Sequence, residues 1–215
     1  MSETARANIL GRLRAARRTS IPALPAWDAP AYAVDERIGR FCQLLETLHA
    51  EVHRVTEAGW PQQLRTVLAG RAASLMVAPE TESGRRLAAD WSQDAPRLVP
   101  YDRPVEEMKT TLVHGVDAGL TTAVAGIAET GTLVLWPDAA EPRLLSLLPP
   151  IHVALVRAST VVDNLPELMR DQGWSSRMPT NVVLVSGPSK TADIEQTLAY
   201  GVHGPKELVV LVIED

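Results

Sequence analysis

The stretch Leu208-Val209-Val210-Leu211-Val212-Ile213 contains only apolar residues. A strand that is apolar at every position is buried on both faces, which is typical of a parallel sheet covered by helices on each side. Residues 181–186, which include Val182-Val183-Leu184-Val185, have the same pattern. Along the chain such runs alternate with helical patterns and turn residues, as in α/β proteins. The sequence therefore predicts an α/β fold, a mostly parallel sheet flanked by helices, with further helices at the N-terminus.

The remaining elements are predicted from short apolar runs and from the turn residues between them. Residues 123–128 and 132–136 are two strands joined by Glu129-Thr130-Gly131, a tight hairpin turn that makes a local antiparallel pair. Residues 34–55 are one long helix, because apolar side chains recur at alternating spacings of four and three. Other strands are predicted at 73–78, 97–100, 112–116 and 151–157, and other helices at 60–68, 82–91, 165–170 and 191–199.

The chain is predicted to have two parts. Residues 1–32 form an amphipathic helical arm and a linker, in which Pro22, Pro25 and Pro30 favour an extended connection. Residues 33–215 form the α/β domain. The arm is expected to pack on its own domain or on a partner subunit. The alternative is an organelle presequence or a membrane-surface helix.

Composition excludes several classes of protein. With 46% hydrophobic and 22% charged residues among 215, the chain is neither disordered nor fibrous. Its single cysteine, Cys42, excludes an intrachain disulfide and the several thiolates of an iron–sulfur cluster or an all-cysteine zinc site. A net charge of -5 and 4% aromatic residues argue against nucleic-acid binding. No apolar stretch approaches the ~20 residues of a membrane span and no signal peptide is visible, so we expect a cytoplasmic protein.

Residues 186–193, SGPSKTAD, are the first candidate binding segment. They lie between a predicted strand and a predicted helix, where ligands of α/β proteins bind. The glycine, the hydroxyl groups and Lys190, with free backbone N–H groups at the helix start, would hold a phosphate or a carboxylate. The spacing of a Walker A loop is absent. The alternative is a capped helix with Ser189 or Thr191 as its N-cap and Asp193 near its start.

Two more segments carry side chains suited to chemistry. Residues 201–207, GVHGPKE, form a rigid turn on which His203 would act as acid, base or anion partner. A structural turn explains the same residues equally well. Glu129 lies at the tip of the hairpin, where its carboxylate would serve as nucleophile or base, although a plain turn residue needs no such role. His152 is expected in the core, and no metal-ligating pattern is predicted.

Four motifs occur in a fixed order along the chain. They are IAETGTL at 127–133, SLLPPIH at 146–152, SGPSKTADIE at 186–195 and GVHGPK at 201–206. Together they resemble the LUD domain of the LutC/YkgG family, lactate utilization protein C. The resemblance implies a fold similar to the NagB/RpiA/CoA transferase-like group, which includes ribose-5-phosphate isomerase and glucosamine-6-phosphate deaminase. It also implies a role in oxidising L-lactate to pyruvate with iron–sulfur partner proteins, which would carry the clusters while this chain alone binds no cofactor.

The resemblance makes an accessory or non-redox subunit of a lactate-oxidising system the leading expectation, with the catalytic activity of the chain itself left open. One alternative is a self-contained enzyme similar to CoA transferases or sugar-phosphate isomerases, in which Glu129 is catalytic by analogy with a glutamate nucleophile. The other alternative is a metabolite-binding module. The residues expected to bind a small anionic ligand are Thr130, Gly131, Thr132, Ser186, Gly187, Ser189, Lys190, Thr191, Asp193, His203, Gly204 and Lys206.

We expect the three segments to line one concave surface at one edge of the sheet, because loops that follow parallel strands share an end. The chain contains only three lysines, and two of them, Lys190 and Lys206, lie in the glycine–proline loops. A compact ammonium group suits a point-charge contact to phosphate or carboxylate. The sequence thus predicts one anion site that uses both lysines.

Deletion of residues 1–30 tests the separation of the arm from the body. Because a proline-rich linker separates the arm from the predicted core, the truncated chain is expected to keep its fold but to bind its partner proteins more weakly. Circular dichroism and size-exclusion chromatography, with the chain alone and mixed with its partners, measure the two effects. A truncated chain that unfolds would contradict the separation.

Overall fold

The computed structural model describes residues 3–16, 28–192 and 198–214. Its helices are α1 (Glu3–Ala15), α2 (Val34–Thr47), α3 (Trp60–Leu68), α4 (Glu82–Ala89), α5 (Val105–Thr110) and α6 (Leu165–Asp171). Its strands are β1 (Glu51–Thr56), β2 (Ser74–Val77), β3 (Arg97–Pro100), β4 (Ala118–Thr122), β5 (Ala125–Ile127), β6 (Thr132–Leu135), β7 (Ile151–Arg157), β8 (Val161–Val162), β9 (Val183–Val185), β10 (Lys190–Ala192), β11 (Leu198–Tyr200) and β12 (Glu207–Glu214). Six strands form a parallel sheet in the order β1-β12-β7-β4-β2-β3. The α/β fold with a mostly parallel sheet flanked by helices is therefore confirmed.

Strand β12 lies inside this sheet, hydrogen-bonded to β1 on one side and to β7 on the other. Its residues 208–213 are all buried. Val209 and Leu211 pack toward α3 and α4 on one face. Val210 and Val212 pack on the other face, against α2 and the second sheet. Burial on both faces is what the uninterrupted apolar run predicts.

A second sheet, with the strand order β8-β5-β6-β9, covers one face of the parallel sheet. Strands β5 and β6 form the predicted antiparallel hairpin. Strand β9 pairs with the outer side of β6. The interpretation of residues 181–186 as a doubly buried strand is therefore wrong: β9 is a short edge strand in which Leu184 is 49% exposed. Strands β10 and β11 form a separate two-stranded ribbon.

The prediction of one long helix over residues 34–55 is correct for residues 34–47 and wrong for the rest. Helix α2 ends at Thr47, His49 has a left-handed backbone with φ 68°, and β1 follows. The apolar residues keep their spacing of four and three within β1, but in a strand successive side chains face opposite sides of the sheet. Val52 therefore packs with α2 and Val55 with α3. The segment supplies an edge strand of the parallel sheet.

The strand predicted at residues 112–116 is also wrong. Helix α5 continues there as a π-helical turn, Thr111–Gly115. Leu112 and Met108, four positions apart, share one side of the helix and are buried in the same apolar cluster. The strand in this part of the chain is β4, which begins at Ala118 and was not predicted.

The helix predicted at residues 191–199 is wrong where the structure describes it. Lys190–Ala192 and Leu198–Tyr200 pair as the antiparallel strands β10 and β11. The alternative in which Ser189 or Thr191 caps a helix therefore falls. Residues 193–197, with Asp193 among them, lie outside the described residues.

Helix α1 lies within the predicted arm and has no buried residue. Its Ile9, Leu10 and Leu13 side chains are exposed. Residues 17–27 of the predicted linker lie outside the described residues, so the boundary at residue 32 stays a prediction. Within the described ranges, no helix has the length and apolar character needed to cross a bilayer.

Replacement of Gly131 with alanine is expected to destabilise the fold. Gly131 has φ 60°, and a Cβ there would lie 2.4 Å from the Cβ of Leu44 in α2. The left-handed backbone and the overpacking together predict a loss of about 2–4 kcal/mol in the free energy of unfolding. Gly39→Ala is the matched control, because a Cβ at this helical position meets nothing within 4 Å. Urea unfolding compares the variants, and equal stabilities would contradict the packing of the hairpin tip on α2.

Candidate functional site

Hydrogen bonds connect the three segments predicted to form a site. At the hairpin tip, the hydroxyl oxygens of Thr130 and Thr132 are 2.7 Å apart, and that of Thr132 lies 2.8 Å from the hydroxyl oxygen of Ser186. The Ser189 N–H donates to the Pro205 carbonyl oxygen at 2.9 Å. The structure therefore brings the three segments together. The region, called the C-terminal corner below, consists of residues 129–132, 186–191 and 198–206.

The C-terminal corner lies at the amino ends of the parallel strands. Lys206 directly precedes β12, and its N–H donates at 2.7 Å to the carbonyl oxygen of Pro150, which directly precedes β7. The loop at Ser186 follows β9, whose carboxyl end adjoins the amino end of β6. The expectation that these loops follow parallel strands, and so lie together at the carboxyl ends of those strands, is wrong. Strand β9 belongs to the antiparallel sheet, and the turn at 201–206 leads into a strand rather than out of one.

The C-terminal corner packs on the end of α2. A Cβ on Gly187 would lie 2.7 Å from the Leu48 carbonyl oxygen, so only glycine permits this approach. Leu48 is followed by His49, which has a left-handed backbone. The His49 N–H donates a hydrogen bond to the Glu46 carbonyl oxygen at 2.9 Å and so holds this conformation. The His49 ring meets the Tyr200 ring edge to face, with 5.6 Å between the ring centroids. The turn after α2 thus becomes one wall of the corner.

Two cavities flank Tyr200. Their volumes are about 340 Å³ and about 380 Å³. Both are lined by His49, Pro188 and Tyr200, so the pair of rings stands between them. Lys190 lines the smaller cavity and Lys206 the larger one. The two lysines therefore lie on opposite sides of one aromatic pair.

Lys190 and Lys206 both have exposed side chains. Lys190 is the register partner of Tyr200 in the β10–β11 ribbon, and the stem of Lys206 passes beside Gly201. Neither ammonium group forms an ion pair with a described residue. Within the described part of the chain, neither charge is neutralised by a neighbouring carboxylate.

Glu129, which directly precedes Thr130 at the hairpin tip, is half-buried. Its N–H donates to the Asp163 carbonyl oxygen at 2.9 Å, and its own carbonyl oxygen accepts from Arg40 at 3.4 Å. The Arg40 guanidinium lies 5.0 Å from the centroid of the Tyr32 ring, and its buried Nε–H has no hydrogen-bond partner among the described residues. The backbone of Glu129 is thus fixed, while its carboxylate forms no ion pair within the described part of the chain.

The remaining predicted site residues differ in exposure. Thr130 and His203 are exposed; Ser186, Gly187, Ser189, Thr191 and Gly204 are half-buried; Gly131 and Thr132 are buried. His152 is a core residue, as expected: its Nε2 lies 2.8 Å from the Thr121 hydroxyl, and burial lowers its pKa to about 4. Among the described residues, no group of three histidine, cysteine, aspartate or glutamate side chains is arranged to hold a metal ion.

The carboxyl edge of the parallel sheet carries a second group of polar side chains. The strand order reverses between β2 and β4, and ligands of α/β proteins bind at such a switch point. A cavity of about 80 Å³ opens at this edge. Glu57, which follows β1, accepts hydrogen bonds from Arg86 of α4 and, at 2.8 Å, from Arg157 of β7. The Arg86 guanidinium also lies 5.2 Å from the Trp60 ring centroid, so these cations already have partners.

Glu141 lies at the same edge, in the segment after β6. Its carboxylate accepts a hydrogen bond from the Thr122 N–H at 2.7 Å. Burial raises the pKa of Glu141 to about 7, against the effect of that hydrogen bond, and the neighbouring Asp138 carboxylate adds to the rise. A cavity of about 560 Å³ lies beside it, with Glu80, Asp102 and Asp138 in its lining. A carboxyl group that titrates near neutral pH is suited to proton transfer.

Sequence reasoning missed the carboxyl edge because no local pattern marks it. Glu57 lies 29 residues from Arg86 and 100 residues from Arg157. Glu141 stands between alanine and proline, a composition typical of loops. The signal that would have found the edge is the placement of Glu57 at the carboxyl end of β1, and the prediction of β1 as helix concealed it.

The fold is that of an α/β protein, and the candidate binding groups of the C-terminal corner meet where its parallel sheet adjoins the antiparallel one. The LUD domain model matches residues 38–213. The chain therefore belongs to the LUD domain family.

Several known proteins are similar to this chain. An uncharacterized protein of Neisseria meningitidis serogroup B is 37% identical over 180 residues, which cover 83% of this chain and 77% of that protein. Lactate utilization protein C 1 of Bacillus mycoides is 28% identical over 89% of this chain and 85% of its own length. Lactate utilization protein C of Bacillus subtilis is 25% identical over 97% and 93%. The crystal structure of a DUF162 family protein from Deinococcus radiodurans has a TM-score of 0.66 at 24% identity, covering 85% of this chain and 99% of that one, which shows a shared fold.

Glu141→Gln removes the titratable group but keeps an oxygen for the Thr122 N–H. Because the folded-state pKa of about 7 lies above the ordinary 4.5, the folded protein binds the proton more tightly, so wild-type stability falls as pH rises through this interval. The variant lacks this fall. Relative to wild type it is expected to gain about 1–3 kcal/mol in unfolding free energy between about pH 5 and about pH 8.

Urea unfolding of wild type and Glu141→Gln at the two pH values measures this gain. Glu80→Gln is the control, since it removes an exposed carboxylate from the same edge of the sheet. A difference between Glu141→Gln and wild type that does not change with pH would contradict the buried, proton-holding carboxyl group.

Proposed function

We propose that this chain is an accessory, non-redox subunit of a system that oxidises L-lactate to pyruvate and that includes iron–sulfur partner proteins. Relatives aligned over 89% and 97% of the chain are named lactate utilization protein C, which supports a role in lactate utilization. An iron–sulfur cluster takes several thiolates from its protein. The one thiol here, Cys42, is buried in the core, and its burial raises its pKa. The clusters therefore belong on the partners.

The observation that carries the proposal is the meeting of three separate segments in the C-terminal corner. Lys190 and Lys206 offer ammonium groups that form no ion pair with a described residue, and Thr132 and Ser186 offer hydroxyl groups whose oxygens lie 2.8 Å apart. Such groups bind and orient an anion by charge and hydrogen bonding. In this proposal the chain supplies a binding site, and the electrons from lactate pass to the partner proteins.

A second candidate function rests on Glu129. Its backbone is fixed by hydrogen bonds and its carboxylate forms no ion pair with a described residue, which suits a nucleophile or a base. In that case the chain alone turns over a phosphorylated or thioester-linked acid. Glu129→Gln distinguishes the two functions: it abolishes turnover by an enzyme, whereas an accessory subunit keeps its ability to support lactate oxidation by the mixture.

The proposed function predicts that the two corner lysines are needed for growth on lactate. A bacterium that grows on L-lactate and whose own member of this family has been deleted is supplied with wild type, Lys190→Ala, Lys206→Ala or the double variant. The double variant is expected to restore growth at less than about a tenth of the wild-type rate, because each charged hydrogen bond contributes about 1.5–3 kcal/mol to binding. Growth on glucose is expected to be the same for all strains.

Lys109→Ala is the matched control for this experiment. Lys109 is the third lysine of the chain, and it is exposed on α5, outside the corner. Immunoblots establish that all variants accumulate equally. Full growth of the double variant on lactate would contradict the proposed role of the corner.

A further inference from the structure

We infer that the ligand of the C-terminal corner is a nucleotide, a phosphorylated compound with a planar ring, and not lactate or pyruvate. The inference deepens the proposed function, because it rests on the corner being the binding site of the accessory subunit. Lactate then meets the partner proteins, and this chain contributes a nucleotide-dependent step such as assembly or activation of the system. Size, aromatic surface and the placement of charge each support the inference.

The size of the site exceeds that of a three-carbon acid. The cavities on the two sides of Tyr200, about 340 Å³ and about 380 Å³, are each within the range of sites for ligands of cofactor size. They share His49, Pro188 and Tyr200, so the two cavities adjoin at this pair of rings. A lactate ion would fill a small part of either cavity and would leave the rest to water.

The aromatic surface is placed where a planar ring can stack. Tyr200 is 39% exposed although it lies between the two cavities. Its ring meets the His49 ring edge to face, and the angle between the two ring planes is 87°. This contact orients the Tyr200 ring. A left-handed backbone is costly for a residue other than glycine, and such strain is concentrated at functional sites. The left-handed backbone of His49 directs its ring toward Tyr200, between the end of α2 and the start of β1.

The charges suit more than one phosphate. Lys190 and Lys206 stand on opposite sides of the ring pair, and each ammonium is a point charge of the kind that binds phosphate. Acidic groups also line the larger cavity, but Arg71 donates hydrogen bonds to both Glu51 and Glu207 and offsets one of their two negative charges, which leaves the other opposite Lys206. A chain of phosphates that reaches past Tyr200 would meet both lysines, whereas one carboxylate would meet one.

Isothermal titration of the full-length chain tests the inference. The probes are ADP, GDP, adenosine, inorganic pyrophosphate, L-lactate and pyruvate, at physiological ionic strength. ADP and GDP are expected to bind alike, since stacking on an aromatic ring tolerates any base. Lys190→Ala and Lys206→Ala are each expected to weaken nucleotide binding at least tenfold. Lys109→Ala is expected to leave it unchanged.

Tyr200→Ala separates the ring from the phosphates. It is expected to weaken ADP binding at least fivefold while pyrophosphate binding stays within twofold of wild type. Tyr200→Phe, which keeps the ring, is expected to bind ADP as wild type does. Thermal unfolding of each variant establishes that the fold is retained.

Three outcomes would overturn the inference. They are the absence of ADP and GDP binding, nucleotide binding that is insensitive to both lysines, and pyrophosphate binding as tight as that of ADP with no effect of Tyr200→Ala. If lactate binds at the corner and nucleotides do not, the inference fails while the proposed function stands. If nucleotides bind as expected but the double lysine variant still supports full growth on lactate, the inference stands and the proposed function fails.

Discussion

The pairing of β12 with β1 and β7 is the constraint on which the rest of the structure depends. It joins residues near 209 to residues near 51 on one side and to residues near 151 on the other. Because β12 is apolar on both faces, helices must cover one side and α2 with the second sheet must cover the other. The turn that enters β12 is then held against the turn that enters β7, and this contact fixes the floor of the C-terminal corner.

Much of the fold follows from local patterns. Strands β3 and β7 and helix α3 have the predicted bounds, because an apolar run or a Trp-Pro start with a later glycine marks them in the sequence itself. The hairpin of β5 and β6 is marked by Gly131, whose backbone conformation few other residues adopt. Strand β1 was not predictable in this way, because Val52 and Val55 continue the helical spacing by accident and only pairing with β12 makes them part of a strand.

The candidate site divides along the same line. Its segments were predictable from residue types, since glycine, proline, lysine and hydroxyl groups cluster in a few short stretches. The end of the sheet at which these segments lie was not predictable, because it depends on whether Ser186 follows a parallel or an antiparallel strand. Tyr200 and His49 were not among the predicted site residues. Tyr200 directly follows the helix predicted at 191–199, and His49 lies within the helix predicted at 34–55, two residues beyond the true end of α2. The charge on Glu141 depends on burial, which no neighbour in the sequence announces.

The β10–β11 ribbon is joined to neither sheet, and a two-stranded ribbon alone has little stability of its own. Its amide hydrogens are therefore expected to exchange with solvent much faster than those of β12, which open only when the whole domain unfolds. A ligand that binds between Lys190 and Lys206 would slow that exchange without changing the shape of either sheet. Occupancy of the corner would then be read by a partner protein as a local stiffening of one ribbon, a signal carried by entropy rather than by displacement.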